Sequence, residues 1–213
     1  MPAPSAATSS LYQQTKAEGE KRVRAAFPDA VILRPSVMFG PGDGFFNRFA
    51  GQSRLGPVLP IIGADTKFQP VYVEDVAQAA VRGALGLARP GVYELGGPDV
   101  ATFRDLMHRM LTIIERRRLV MNLPFWVGGV IGGALDVGSA LTLGLIKNRI
   151  LTRDQVKSLR VDNVVAPKAL GLSDLGITPT AMGAVLPDYL WRFRRDGQYA
   201  AIMASAKNLR NQG

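Results

Sequence analysis

The sequence predicts an α/β fold: the C-terminal half of a doubly wound parallel sheet, followed by a smaller, mostly helical region. Three observations carry that reading. Helical and strand patterns alternate over residues 9–116, as they do where helices cover a parallel sheet. No G-x-G-x-x-G, the turn with which a complete dinucleotide-binding sheet opens, occurs anywhere in the 213 residues. Beyond residue 120 the alternation gives way to an apolar run, residues 124–146. The expected organisation is therefore a half-sheet over residues 1–120 and a helical region over 121–213.

Residues 9–27 carry a helical pattern opened by Ser9 or Ser10 as N-cap and stopped before Pro28. Ala30 to Arg34 is short, apolar and partly β-branched, the composition of a buried strand. Phe39 to Gly44 is read as a loop, because its glycines and Pro41 break both periods. A helix near 44–54 and a Pro/Gly-rich stretch to Gly63 follow. Gln69 to Val73 is a short strand, and Glu74 to Leu87 has helical spacing through Val76, Ala80, Val81 and Ala84. Gly91 to Leu95 is the next strand. Thr102 to Arg116 is an amphipathic helix with Phe103, Leu106, Met110 and Ile113 on one face.

Composition excludes some chemistries. With no cysteine and a single histidine, His108, there is neither a disulfide framework nor a clustered zinc site, and His108 falls on the polar side of its helix. The formal net charge is +9, but the basic residues are dispersed, and the pattern does not point to nucleic acid. The densest groups are Arg116 to Arg118 and Arg192, Arg194 and Arg195, each read as a solvated helix end where the dipole favours cations. Residues 1–10 hold no apolar core of the kind a signal peptide has.

Chemical content begins at Tyr12-Gln-Gln-Thr-Lys16. Positions four apart share a helical face, so a phenol and an ammonium can project together. The ammonium favours the phenolate, drawing a phenol from its usual pKa near 10 towards neutrality, which suits general acid/base work on a carbonyl or alcohol. A packed tyrosine beside a solvated lysine satisfies the same spacing. Asp43 suits a turn or a substrate contact, and Asp75 suits the first turn of its helix.

Three longer strings sharpen this: Leu11 to Glu20, Leu33-Arg-Pro-Ser-Val-Met-Phe-Gly-Pro-Gly42, and Pro70-Val-Tyr-Val-Glu-Asp-Val76. They resemble the extended short-chain dehydrogenases/reductases, the NAD-dependent epimerase/dehydratase group with a Rossmann-like sheet. Phe27-Pro-Asp29, Gly44 to Phe49, Leu151 to Val156, Asp162 to Val165 and Leu175 to Pro179 are most similar to the branch containing the NAD(P)-binding accessory subunit of respiratory complex I and its bacterial relatives.

The resemblance implies roles. Tyr12 and Lys16 take the catalytic positions, Lys16 also bonding the nicotinamide ribose, and Pro35 and Ser36 approach the nicotinamide through their backbone. The loop with Phe39, Asp43, Phe45 and Phe46 borders the substrate. The cofactor expected is NAD or NADP, and the function that of an accessory, structural component of complex I or a related quinone-linked assembly. The alternative is an active reductase, dehydrogenase or epimerase on an isoprenoid, quinone-precursor or nucleotide-sugar substrate.

The family's glycine-rich turn, first strands and catalytic-position serine are expected before residue 1, from a start codon placed too late in a longer gene. Without them the chain is expected to bind free NAD(P) weakly or not at all. The implied setting is peripheral, on the cytoplasmic or matrix face of the inner membrane, with other subunits of the assembly as partners.

Pro124 to Ile146 bears on that setting. Its 23 residues are long enough to span a bilayer, yet they include six glycines and a charge at Asp136. A span, an interfacial element and a buried helix pair all remain open.

Overall fold

The computed structural model describes residues 11–130, 133, 153–195 and 197. The helix α1 (Leu11–Ala26) leads through residues 27–30 into the strand β1 (Val31–Pro35). There follow β2 (Met38–Phe39), α2 (Phe46–Gln52), β3 (Val58–Ile62), β4 (Lys67–Phe68), β5 (Val71–Tyr72) and α3 (Val73–Ala84). Next come β6 (Gly91–Leu95), β7 (Ala101–Thr102), α4 (Phe103–Ile113) and β8 (Leu119–Leu123), then α5 (Arg153–Ser158), α6 (Met182–Leu190) and two 3-10 turns at Ser173–Leu175 and Trp191–Phe193.

The sheet core is β1 lying parallel to β6, with Val31 opposite Gly91 and Pro35 opposite Leu95. Among the described residues β1 pairs along this edge only, and all five of its residues are half-buried, whereas the last three of β6 are buried. Arg34 sits between two carboxylates: Glu20 of α1 accepts from it at 2.6 and 2.9 Å, and Glu94 of β6 stands at 3.6 Å. The Glu20 carboxylate beside it raises the Arg34 guanidinium above its ordinary value. That ion pair ties α1 to the sheet.

Three further pairings build the rest, one of five residue pairs and two of two. β2 lies parallel to β5, β3 parallel to β8, and β4 antiparallel to β7. The stretch expected to be irregular up to Gly63 therefore contains a five-residue strand. Pro60 disguises it: Leu119 N–H donates to the Pro57 carbonyl, so residues 57, 59 and 61 face β8 and the missing N–H of Pro60 is on the other edge. The partner strand Leu119–Leu123 crosses residue 120, so the two expected regions share a sheet.

Two cores result. Phe39, Phe46, Leu106, Met110, Leu186 and Leu190 are fully buried or nearly so between α2, α4 and α6. Val71, Tyr93, Leu95, Leu172 and Ile177 form the second, beneath α3 and beside β6. The later chain threads back between them, with Asn163 bridging to Phe68 and Leu170 to Tyr93. Gly96 permits this closeness, since a Cβ there would stand 2.7 Å from Val165 Cγ2, and Gly97 lies as tightly on Pro70, whose carbonyl accepts from its N–H at 3.0 Å.

Of the apolar segment beginning at Pro124, residues 125–130 are helical and most of the remainder lies outside the described residues. Gly128 packs against Ile62, while Trp126 and Val130 face outward. No helix among the described residues is long and apolar enough to cross a membrane.

Candidate functional site at the end of the parallel pair

Tyr12 and Lys16 both fall on α1, one turn apart, with Glu20 a turn further on. Glu20 is held at the level of Arg34, and the short 27–30 connection makes helix and strand run in opposite directions. One helical turn rises about 5.4 Å, and two strand residues about 6.6 Å. On that spacing, a helix antiparallel to β1 carries Lys16 and then Tyr12 from the level of Arg34 towards the C-terminal end of the strand. Lys16 is exposed, and the Tyr12 side chain lies outside what the structure describes.

Pro35 closes β1 and Ser36 follows it, only 5% exposed. Ser36 N–H donates to the Leu95 carbonyl at 2.9 Å, and its hydroxyl donates to the Asn163 carbonyl at 3.1 Å. The serine is thus a fastening between β1, β6 and the returning chain, its hydroxyl proton already committed. Asn163 adds an observation no short motif contains: its side-chain Oδ1 is buried with no hydrogen-bond partner. A buried acceptor without a donor carries a desolvation cost that a ligand N–H or O–H would relieve.

The loop expected to border a substrate divides by residue. Phe39 and Phe46 are fully buried and belong to the core. Phe45 is half-buried, packed on Phe46, Phe49, Phe68 and Phe103 with ring centroids 5.1 to 5.9 Å apart. Asp43 organises the turn: its carboxylate accepts from Phe45 N–H at 2.8 Å, Asn47 N–H at 3.2 Å, Gly40 N–H at 3.4 Å and the hydroxyl of Tyr189. Burial, then the hydrogen bond and charge of Asp43, push the Tyr189 phenol well above its ordinary range. Nothing in the local sequence signals a partner 146 residues away.

Asp75, expected to serve its own helix end, is buried and accepts instead from Thr180 N–H at 2.7 Å and Thr180 Oγ1 at 2.9 Å. His108 is exposed, and the described residues hold no group of three His, Cys, Asp or Glu suited to a metal.

Between α2 and the β3–β8 pair opens a cleft of 470 Å³ whose walls include Phe49, Leu55, Pro60, Ile62, Leu123 and Leu159. Arg48 stands at it, its guanidinium 5.7 Å from the Phe49 ring centre and lowered by burial. The residues that could hold one side of a nicotinamide nucleotide are Lys16 on α1, the backbone step at Pro35 and Ser36, and the buried acceptor at Asn163. A glycine turn for the pyrophosphate is not among these 213 residues.

Known proteins resemble this chain in sequence and in fold. The model of the RmlD substrate-binding domain matches residues 4–118. The mitochondrial NADH dehydrogenase [ubiquinone] 1 alpha subcomplex subunit 9 of Arabidopsis thaliana is 34% identical over 208 residues, 95% of this chain and 52% of that protein. A ceramide reductase of Caulobacter vibrioides is 33% identical over 186 residues, 80% of this chain and 56% of that one. The crystal structure of a dTDP-glucose 4,6-dehydratase from Bacillus anthracis, in complex with NAD, superposes with a TM-score of 0.58 at 15% identity, over 89% of this chain and 54% of the other. The chain spans about half the length of the curated relatives it matches.

Proposed function

The chain belongs to the RmlD substrate-binding domain family, within the short-chain dehydrogenase/reductase superfamily, and on that premise we propose that it serves in an NAD(P)-holding accessory subunit of complex I or a related quinone-linked assembly. The observation that carries the proposal is the similarity to a mitochondrial complex I subunit along 95% of the chain. The chemistry NAD(P) supplies when bound is hydride exchange. This chain's own part is to hold the nicotinamide end: Lys16 offers an ammonium to the ribose hydroxyls, and the main chain at Pro35 and Ser36 provides a flat, fixed surface. Ser36 keeps that surface rigid through its bonds to Leu95 and Asn163. The setting that fits is peripheral to the inner membrane, beside other subunits of the assembly.

The second reading is an active reductase, and the cleft favours it for an apolar substrate: its walls suit a hydrocarbon chain better than a sugar nucleotide. Tyr12 then acts as proton donor, with Lys16 lowering the phenol's pKa.

The test is to express the tagged protein in its own host, separate detergent-solubilised membranes on a native gel, and measure nucleotide released from the tagged band. We expect co-migration with NADH dehydrogenase activity, about tenfold less nucleotide in Lys16→Met, and no change in Tyr12→Phe. A tagged band that runs apart from that activity sinks the accessory reading. A Tyr12→Phe variant that loses turnover on a long-chain carbonyl substrate by roughly 10² or more establishes the reductase instead.

A further inference from the structure

The two arginine groups that the sequence separates by about 75 residues meet in space. Just past α4 comes Glu115, a non-glycine residue in the left-handed region at φ 54°, and this turn leads into Arg116 to Arg118 ahead of β8, Arg117 exposed and its two neighbours half-buried. Three guanidiniums are then tied by Nε to backbone carbonyls. Arg116 donates to Phe193 at 2.8 Å, Arg118 to Ser53 at 2.7 Å and Arg194 to Ile113 at 3.0 Å. Those bonds draw the end of α2, the end of α4 and the segment after α6 to one place. Arg54, Arg117 and Arg195 complete the cluster.

A cavity of about 450 Å³ is lined by Glu115, Arg116, Arg117, Arg118 and Arg195, and a groove along Thr112 and Leu119 adjoins it. Among the described residues Glu115 is the one acid lining it, 3.4 Å from Arg194. Burial, with Arg118, Arg54 and Arg195 close by, holds the Arg116 guanidinium below its ordinary value. Among the described residues six arginines converge with one carboxylate, which is not the arrangement of a solvated helix end, where each cation is separately hydrated. Arginines fixed by backbone bonds present their remaining N–H groups as a preset fork, the geometry that phosphate oxygens match.

We propose that this cavity is a binding site for a phosphate group, unrelated to the nucleotide site at the end of β1 and independent of the accessory-subunit reading. The phosphate can come from a phospholipid headgroup or from a soluble phosphate ester. Leu55 and Leu119, 87% and 65% exposed, adjoin Arg54 and Arg118, so a membrane surface is a natural source.

The experiment uses the full chain with two probes: inorganic pyrophosphate, read by thermal shift and titration calorimetry, and vesicles of phosphatidylcholine with or without phosphatidylglycerol, read by sedimentation. The variant is Arg117→Gln with Arg195→Gln, two exposed side chains outside the backbone fastenings. The control, Lys21→Gln with Arg24→Gln on α1, removes equal charge elsewhere. We expect binding of at least one probe, weakened about 30-fold in the cluster variant, the factor two cations contribute near an anionic surface, and little changed in the control. Pyrophosphate binding without vesicle binding identifies a soluble ester as the source; binding only to phosphatidylglycerol vesicles identifies a headgroup. No binding of either probe, binding unchanged in the cluster variant, or equal loss in the control overturns the site.

Discussion

At the scale of single residues, Asp43 shows how one carboxylate can be read correctly as a turn residue and still be underestimated. Its spacing from Gly40 and Gly42 announces a turn, but the Tyr189 hydroxyl that completes its bonding arrives from the far end of the chain. Tyr189→Phe removes that donor and should cost about 1.5 kcal/mol at neutral pH, the value of one hydrogen bond to a charged group. Because the folded phenol's pKa lies above the unfolded one near 10, the tyrosine's contribution is complete below pH 10 and is lost as pH rises beyond it, the unfolded phenol ionising first. Urea titrations at pH 7 and pH 11 should therefore show the gap between wild type and variant narrowing. A gap of constant size would mean that this phenol is not linked to folding. Ser36 and Asp75 are similar cases: their types and positions are legible, while Asn163 and Thr180, which use them, are not.

At the scale of elements, legibility followed length. α4 is readable because its apolar positions recur at helical spacing and Thr102 with Asp105 forms a capping box, each side chain meeting the other's backbone N–H. The Thr102 hydroxyl bond holds the Asp105 carboxyl below its usual range. Thr102→Ala should destabilise the protein by about 1 kcal/mol and Thr102→Ser by much less, checked by chemical denaturation. Equal loss in both would place the effect in the threonine methyl rather than the cap. β1, β6 and α3 are readable on the same grounds of apolar runs and period. β5 lies inside the strand read at Gln69 to Val73, whereas β2, β4 and β7, of two residues each, carry no period. β3 and β8 are long enough, but Pro60 and the alternation of exposed Leu119 and Met121 with buried Val120 disguise them. The arginine groups were legible as charge and illegible as a cluster, because convergence is a property of the turn at Glu115 and the bonds to Ser53, Ile113 and Phe193.

At the scale of the whole molecule, the expected half-sheet is present as the parallel β1 and β6 pair, with a lobe of further pairings built against it. In a strand, successive N–H groups point to opposite edges. Ser36 N–H reaches Leu95, and Gly91 N–H reaches the Ala30 carbonyl, so residues 30, 32, 34 and 36 face β6. Val31 and Leu33 face the other way, and Pro35 has no N–H to offer. Amide hydrogen exchange on the chain should accordingly be slow at Ile32 and Arg34 and fast at Val31 and Leu33, alternating residue by residue. Uniform protection across Val31 to Arg34 would contradict the one-sided pairing. The same two amides make a built-in gauge of company. Any further strand that lies down beside β1, from whatever chain, must silence the exchange of Val31 and Leu33 together, and their two resonances would register its arrival without a label or an added probe.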